Sequence, residues 1–183
     1  MIFEPMQLTG CVKIIPKVVK DDRGEFVKTY IESELAANGL HTDFKEEYYS
    51  RSKIDVLRGM HFQTPPCGYE KLLSCPSGRV RDVLLDIRVG SPTYGRHQVL
   101  ELDGSEPVLL YLPAGIAHGF AVLSEFAVVT YKVSREYAPS HDCGIRWDSF
   151  GAEWNIDHPQ VSPRDAAFPR FEDFNSPFTF HEG

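Results

Sequence analysis

The residues best suited to chemistry in this chain are Arg58, His61, Gln63 and Lys71, which lie close together in the sequence. Alternate side chains of a β-strand point to opposite faces, so His61 and Gln63 are expected on one face of a strand at 57–63. Imidazole exchanges a proton near neutral pH, and arginine and lysine attract anions. The group therefore suits proton transfer on an anionic substrate. The alternative role for His61 is that of a buried histidine satisfied by a core partner.

A second candidate site residue is His118, in the spacing Pro113-x-Gly115-x-x-His118. This spacing resembles the second conserved motif of the cupin superfamily, whose small β-barrels use that histidine as a metal ligand. The first cupin motif supplies His-x-His, whereas here Gln63 stands two residues after His61. A transition-metal site generally needs three or more nitrogen, sulfur or carboxylate ligands. The sequence therefore predicts a cupin barrel without a bound metal.

The elements that must position these residues are mostly short strands. Apolar patterning predicts strands at 11–19, 25–30, 44–50, 57–63, 71–75, 79–89, 97–102, 108–112 and 127–133. Many short strands separated by turns are typical of a β-sandwich or barrel. The clearest alternation, at 79–89, predicts one aliphatic and one charged face, with Val83, Leu85, Ile87 and Val89 opposite Asp82, Asp86 and Arg88.

Three local patterns add detail to this barrel. Residues 21–24 predict a hairpin turn with Arg23 at its tip. Arg23 is either part of a binding site or simply a solvated turn residue. Residues 33–39 predict a short helix that begins with Ser33 as its N-cap. Tyr48 and Tyr49 suit either stacking on a planar ligand or filling a sheet edge. Beyond residue 140 the aromatic residues are scattered, at Trp147, Phe150, Trp154 and Phe168. This pattern predicts a tail that wraps the barrel and adds one or two short helices.

Length and composition exclude several classes of protein. The 183 residues fit one domain, 1–183, and the net charge of -7 without a lysine or arginine block argues against nucleic-acid binding. Residues 1–5 lack the pattern of a secretory signal, and no apolar run is long enough to span a membrane. The four cysteines form no C-x-x-C pair, which argues against a zinc site. Without a secretory signal, we expect them to be reduced thiols in a cytoplasmic protein.

The chemistry-bearing segments occur in a characteristic order along nearly the whole chain. They are 22–24, 57–63, 71–72, 82–83, 86–88, 91–93, 113–120, 131–132 and 162–165. This order resembles the dTDP-4-dehydrorhamnose 3,5-epimerases of nucleotide-sugar biosynthesis. The resemblance implies an all-β cupin jelly-roll barrel with short flanking helices, and a homodimer in which N-terminal strands cross to the partner. It also implies an isomerase that inverts C3, C5 or both in a nucleotide-linked 4-keto-6-deoxy hexose, without a metal or other cofactor.

The same resemblance implies roles for individual residues. His61 is the base, and Asp165 holds its imidazole and is expected to raise its basicity. Lys71 stabilises the enolate oxygen, and Tyr131 is the acid that protonates the opposite face of the carbon. Arg58 and Arg23 correspond to pyrophosphate contacts. The full set of implied substrate-binding positions is Arg23, Phe26, Lys28, Glu46, Tyr48, Arg58, Gln63, His118, Asp142 and Arg164.

Several of these positions depart from the family pattern. Lys28 replaces a glutamate, and Glu46 and Tyr48 stand where the family has glutamine and asparagine. Asp142 replaces a glutamate, and Arg164 stands where lysine is common. Glu46 adds negative charge near an anionic ligand unless Lys28 compensates for it. An intact catalytic set with altered recognition residues suggests a variant substrate, with a different base or a modified 4-keto-hexose, or epimerisation at a single carbon.

Three alternatives remain at this stage. The first is a single-centre epimerase that acts on a CDP-linked or other nucleotide-linked 4-keto deoxysugar. The second is a catalytically silent cupin that binds a nucleotide sugar, which predicts the loss of at least one catalytic residue, although none is lost. The third is a metal-dependent cupin isomerase or dioxygenase, which predicts a third ligand where the sequence has Gln63.

Overall fold

A computed structural model of the protein describes residues 1–181, which form thirteen strands, two short α-helices and one 3-10 helix. The strands are β1 (Ile2–Pro5), β2 (Val12–Ile15), β3 (Val18–Asp21), β4 (Gly24–Val27), β5 (Glu46–Lys53), β6 (Leu57–Gln63), β7 (Lys71–Ser77), β8 (Arg79–Asp86), β9 (His97–Asp103), β10 (Leu109–Leu112), β11 (Ile116–Val122), β12 (Phe126–Val133) and β13 (Asp142–Gly144). The helices are α1 (Glu32–Ala37), α2 (Pro163–Ala166) and the 3-10 helix Phe171–Asp173.

Two antiparallel sheets face each other and form the barrel. One has the strand order β1-β2-β10-β7-β12-β5, and the other has the order β13-β6-β11-β8-β9. Leu73 and Leu110 of the first sheet pack with Leu84 and Phe120 of the second in one buried cluster. Such a two-sheet core buries alternate side chains of each strand. The predicted all-β barrel with short flanking helices is confirmed.

The C-terminal tail covers the outer face of the second sheet. Trp154 and Phe178 are buried against Phe62 and Leu85, which are side chains of β6 and β8. The indole Nε1 of Trp154 donates a hydrogen bond to the carbonyl of Trp147 at 3.0 Å. The predicted wrapping of the barrel by this tail, with short helices, is therefore confirmed.

Strand β8 shows where alternation succeeded and where it failed. Val83, Leu85 and Ile87 share one buried cluster, as predicted, but Val89 is 48% exposed because the strand ends at Asp86. No strand was predicted at 116–122, yet β11 occupies it. All seven of its residues are buried, so the segment lacks the polar alternation that marks a half-buried strand.

The first helix begins differently from the prediction. Its N-cap is Ile31 without a side-chain hydrogen bond, so Ser33 lies inside the first turn and the predicted Ser33 cap is wrong. The helix is fixed instead by tertiary contacts, because Leu35 is fully buried with Ile14 and the N-terminal ammonium pairs with Glu34 at 2.6 Å. Packing of one apolar face stabilises short helices more than capping does.

The hairpin formed by β3 and β4 is a separate two-stranded sheet, with Asp21 opposite Gly24. This confirms the predicted turn at 21–24. The side chain of Arg23 at the tip is 90% exposed and pairs with Asp21 at 2.6 Å. Among residues 1–181, no helix is both long and apolar enough to cross a membrane.

Candidate active site

An irregularity in β6 brings Arg58 and His61 to the same cavity. In a regular strand, residues three apart point to opposite faces. Here the register with β11 shifts between the pairs His118–His61 and Phe120–Arg58, so β6 carries one extra residue. Gly59 lies within this bulge at φ 131°, and a Cβ there would stand 2.5 Å from Gly119 Cα. The bulge and the close approach of the two strands therefore require glycine at this position.

Asp165 reaches His61 from the short helix α2. The Nε2 atom of His61 lies 2.9 Å from Asp165 Oδ2, which also accepts a 3.1 Å hydrogen bond from the backbone N–H of Gly59. Ser162 caps α2, because its hydroxyl accepts a hydrogen bond from the backbone N–H of Asp165. The cap fixes the first turn and therefore the carboxylate that it carries. The structure thus brings together the two residues predicted as base and orienting carboxylate.

The charges of this pair follow from burial and from their mutual contact. Burial opposes ionisation of Asp165, but the hydrogen bonds from His61 and Gly59 outweigh it and lower the pKa of Asp165 to about 2. Burial lowers the pKa of His61, the Asp165 carboxylate raises it, and the cations of Lys71 and Arg164 lower it further. The net direction for His61 is downward. Asp165 raises the pKa of His61, as expected, but burial outweighs this contribution.

The ionised carboxylate also determines the tautomer of His61. An ionised Asp165 only accepts hydrogen bonds, so the tautomer that satisfies the Asp165 contact carries its proton on Nε2 and leaves Nδ1 as the basic nitrogen. Arg164 Nη2 also lies 3.0 Å from this Nε2, but a guanidinium only donates, so in this tautomer the two groups share no hydrogen bond. Arg164 Nε lies 3.3 Å from Asp165 Oδ1, and its Nη1 pairs with Asp142. The guanidinium is thus anchored by two carboxylates beside the base.

Lys71 lies at the start of β7 and is almost fully buried, with 4% of its surface exposed. Its ammonium donates a 2.9 Å hydrogen bond to the backbone carbonyl of His61. Burial lowers the pKa of Lys71 to about 8, although Asp142 and Asp82 oppose the shift. Lys71 is therefore a cation held beside His61, where it could stabilise a developing oxyanion.

Tyr131 and His118 line the same cavity as Lys71. His118 Nε2 contacts Asp82 Oδ2 at 2.7 Å, and both side chains are buried. The Tyr131 phenol is buried on β12, and burial, followed by the neighbouring Tyr48 and Asp82, raises its pKa well above the usual value. Tyr131 therefore stays protonated at neutral pH and is available as an acid.

Two cavities meet at His61. The inner cavity has a volume of about 270 Å³. It is lined by the predicted site residues Arg58, His61, Lys71, His118 and Tyr131, together with Tyr48, Ser50, Tyr69 and Phe120. The outer cavity, of about 280 Å³, is lined by Glu46, Gln63, Val133, Arg135, Tyr137, Asp142 and Arg164 as well as by His61. Tyr48 and Tyr69 line both cavities. The arrangement suits a long ligand whose reactive end lies inside the barrel.

Three predicted substrate-binding residues line the outer cavity but are already engaged by the protein. Gln63 is 1% exposed, donates to the carbonyls of Cys67 and Glu136, and accepts from the backbone N–H of Ala138. Glu46 accepts a 2.7 Å hydrogen bond from the backbone N–H of Tyr137. Asp142 accepts from the Tyr137 hydroxyl and pairs with Arg164. The contacts of Gln63 hold the loop at 136–138 in place.

Arg23, Phe26 and Lys28 are not brought to either cavity within one chain. They lie on the exposed β3–β4 hairpin or directly after it, and Phe26 and Lys28 line a different cavity with Met1 and Val19. The expected compensation of Glu46 by Lys28 is therefore not formed within a single subunit. The substrate-binding role of these three residues therefore remains a prediction that depends on a partner chain.

The structure adds site residues that the sequence reasoning missed. Tyr69 lines both cavities, Tyr137 and Arg135 line the outer one, and Asp82 holds His118. Tyr69 stands two residues before Lys71, so alternation of side chains would have indicated a shared face. Tyr137 carries no comparable signal because it lies in the loop after β12.

The donors present do not form a metal cluster. Within residues 1–181, no group of three or more histidine, cysteine, aspartate or glutamate side chains is placed to hold a metal ion. His118, which the cupin spacing marked as a metal ligand, directs Nε2 at Asp82 instead.

Comparison with known proteins places the chain in a family. The family model described as dTDP-4-dehydrorhamnose 3,5-epimerase matches residues 5–173. The dTDP-4-dehydrorhamnose 3,5-epimerase of Salmonella typhimurium is 39% identical over 158 residues, which cover 84% of this chain and 86% of that protein.

Solved structures show the same similarity in three dimensions. A dTDP-6-deoxy-D-glucose-3,5-epimerase of Legionella pneumophila, in complex with dTDP-4-keto-L-rhamnose, has a TM-score of 0.93 at 32% identity and covers 98% of each chain. A 3'-monoepimerase of Streptomyces bikiniensis, in complex with dTDP-quinovose, has a TM-score of 0.85 at 29% identity and covers 91% of this chain and 86% of that one. The predicted epimerase resemblance and cupin-like fold are confirmed, and the chain belongs to the dTDP-4-dehydrorhamnose 3,5-epimerase family of isomerases.

Proposed function

We propose that this chain inverts C3, C5 or both in a dTDP-linked 4-keto-6-deoxy hexose, of the dTDP-4-dehydro-6-deoxyglucose type. The observation that carries the proposal is the arrangement of the His61–Asp165 pair, Lys71 and Tyr131 around one inner cavity. The bound dTDP-4-keto-L-rhamnose of the Legionella relative supports a dTDP sugar as the ligand. Both C–H bonds adjacent to a ketone are acidified, so this substrate class suits a base, an oxyanion stabiliser and an acid.

The chemistry follows from the charges of the site. Nδ1 of His61 removes the proton from C3 or C5, and the C–H bonding electrons pass into the C4 carbonyl as an enolate. The Lys71 ammonium stabilises the oxygen that becomes negative. Tyr131 then donates its phenolic proton to the opposite face of the carbon and recovers a proton from solvent. Asp165 stabilises the imidazolium that forms during the first step.

The two cavities suit the two ends of this substrate. The sugar fits the inner cavity beside His61, and Arg58 is a cation there that suits the diphosphate. The nucleoside then extends towards the outer cavity and Tyr137. Inversion at a single carbon is a second candidate outcome, because the Streptomyces relative is a 3'-monoepimerase with the same overall fold.

We further propose that the active form is a homodimer of one-domain chains. The β3–β4 hairpin carries Arg23 and Phe26 on an exposed ribbon that reaches neither cavity of its own chain. Exposed apolar side chains at Ile2, Val19 and Phe26 suit burial by a partner. The free thiols of the four cysteines suit the reducing cytoplasm, where we expect the protein to work.

Conversion of dTDP-4-dehydro-6-deoxyglucose, followed by NMR of the sugar protons, tests the proposal. Inversion at C3, C5 or both supports it and identifies the carbon. Binding of dTDP by calorimetry without any inversion would favour the silent cupin. If neither inversion nor dTDP binding occurs, CDP-linked and GDP-linked 4-keto sugars are tested next. Inversion of one of these sugars would show that the enzyme recognises a nucleotide other than dTDP.

A further inference from the structure

Tyr48 packs directly on the proposed acid. It stands opposite Tyr131 in the register of β5 and β12, and the two rings stack with centroids 4.8 Å apart at an interplanar angle of 21°. On another side, the His118 ring meets Tyr131 edge-on at 5.8 Å. His118 is itself fixed by Asp82. The phenol that must deliver a proton is thus confined by two aromatic rings.

We propose that Tyr48 is a positioning residue that aims the Tyr131 phenol at the substrate carbon, and so couples proton removal to inversion. The inference rests on the proposed function and goes beyond it. Removal of the proton by His61 needs no contribution from Tyr48. Delivery of a proton to the opposite face needs the Tyr131 oxygen within bonding reach of the carbon, and a displacement of about 1 Å costs much of the rate of such a step.

The contacts separate this role from simple core packing. Tyr131 is 7% exposed, whereas Tyr48 is 40% exposed and lies where the two cavities meet. Removing the Tyr48 ring therefore opens space at a cavity mouth instead of a void in the barrel core. The departure from asparagine, noted for the family pattern, gives this chain an aromatic partner for its acid.

The consequence is a specific kinetic defect. After His61 has taken a proton, its imidazolium exchanges with solvent and returns a deuteron to the same face unless Tyr131 acts first. A loosely held Tyr131 therefore yields exchange of deuterium without inversion. A merely structural role would lower exchange and inversion together, and a substrate contact would raise KM while leaving their ratio unchanged.

The experiment compares Tyr48→Leu and Tyr48→Phe with wild type in D2O, using dTDP-4-dehydro-6-deoxyglucose and NMR of recovered substrate and product. In Y48L we expect the rate of inversion to fall about tenfold more than the rate of deuterium exchange. Y48F keeps the ring and is expected to keep the wild-type ratio. The control is Tyr49→Leu, a 70% exposed neighbour that stands opposite Thr130 and is expected to behave as wild type. Parallel loss of exchange and inversion in Y48L, or an unchanged ratio, would overturn the proposal.

A second measurement does not depend on the substrate. The ring resonances of Tyr131 can be assigned with Tyr131→Phe. Loss of the Tyr48 ring current by itself shifts these resonances, so the readout of position is their line width and their nuclear Overhauser contacts with His118. We expect broadened lines and weakened contacts in Y48L, and wild-type values in Y48F. Wild-type line widths and contacts in Y48L would overturn the positioning role. An inactive wild type with broadened Tyr131 lines in Y48L would instead overturn the proposed substrate and retain the positioning of Tyr131.

Discussion

The carboxylate of Asp165 lies 2.9 Å from Nε2 of His61 and also accepts the backbone N–H of Gly59, in the bulge that turns His61 into the cavity. The Asp165 side chain therefore contacts both the imidazole of His61 and the backbone segment that carries it. The link is local in space but joins residues 106 positions apart in the chain. Its loss is expected to affect both the charge and the placement of the imidazole.

Replacing Asp165 by asparagine is expected to lower kcat on the order of 100-fold. The amide retains the size of the carboxylate, but it removes the charge that stabilises the imidazolium of His61. Circular dichroism and steady-state rates on the same preparation separate folding from catalysis. A control with Asp148→Asn, a carboxylate that pairs with Arg146 away from both cavities, is expected to keep the wild-type rate. An active D165N enzyme would remove Asp165 from the mechanism.

The pH dependence of kcat/KM is expected to be bell-shaped. His61 must be neutral to act as base, and its pKa lies below the ordinary 6.5, so activity is lost only as the pH falls below that value. Lys71 must be charged, and its pKa of about 8 means that activity declines as the pH rises through this region. Initial rates between pH 5 and 10 test both limbs. A rate that stays level up to pH 10 would contradict the role of Lys71.

Much of this site was accessible from the sequence, for identifiable reasons. Alternation places His61 and Gln63 on one face, and the order of the motifs identified Lys71, Tyr131 and Asp165. The sequence did not reveal the extra residue in β6, because a bulge depends on pairing with Gly119 of a distant strand. Without that bulge, Arg58 would point away from His61.

Other errors came from tertiary contacts that local patterns do not encode. Strand β5 continues through Lys53, beyond the predicted end at residue 50, because β12 pairs with it along its whole length. Asp165 raises the pKa of His61 as expected, but the sequence did not reveal the burial that outweighs it and makes the net shift downward. The Tyr48–Tyr131 stack joins two strands far apart in the chain, so neither role suggested for Tyr48 from sequence included it.

Removing the positive charge of Arg164 is expected to raise the pKa of His61. Arg164→Met deletes a cation 3.0 Å from Nε2, so the imidazolium becomes more stable and the acidic limb of the rate profile moves to higher pH. Arg164→Lys retains a charge and is expected to shift the limb less. The control is Arg170→Met, an arginine paired with Glu172 that lines neither cavity. An unmoved acidic limb in R164M would show that the guanidinium does not influence the base.

Subunit mixing is expected to show that Arg23 serves the partner's site. Arg23→Ala and His61→Ala should each have little activity alone. In a mixed dimer, one site combines intact His61 with intact Arg23, so random exchange of subunits should restore about a quarter of the wild-type activity. Lys20→Ala, a charge on the same hairpin, is expected to remain active by itself. If the activity of the mixture stays at the mean of the activities of the two variants, Arg23 does not act across a dimer.

The proposal that His61 is the base is tested most directly by deuterium exchange at the sugar carbons in D2O. Wild type is expected to incorporate deuterium at C3, C5 or both of dTDP-4-dehydro-6-deoxyglucose. The His61→Ala variant is expected to remain folded by circular dichroism and to lose at least about 100-fold of the exchange rate. A folded His61→Ala enzyme that exchanges at nearly the wild-type rate would show that another group removes the proton.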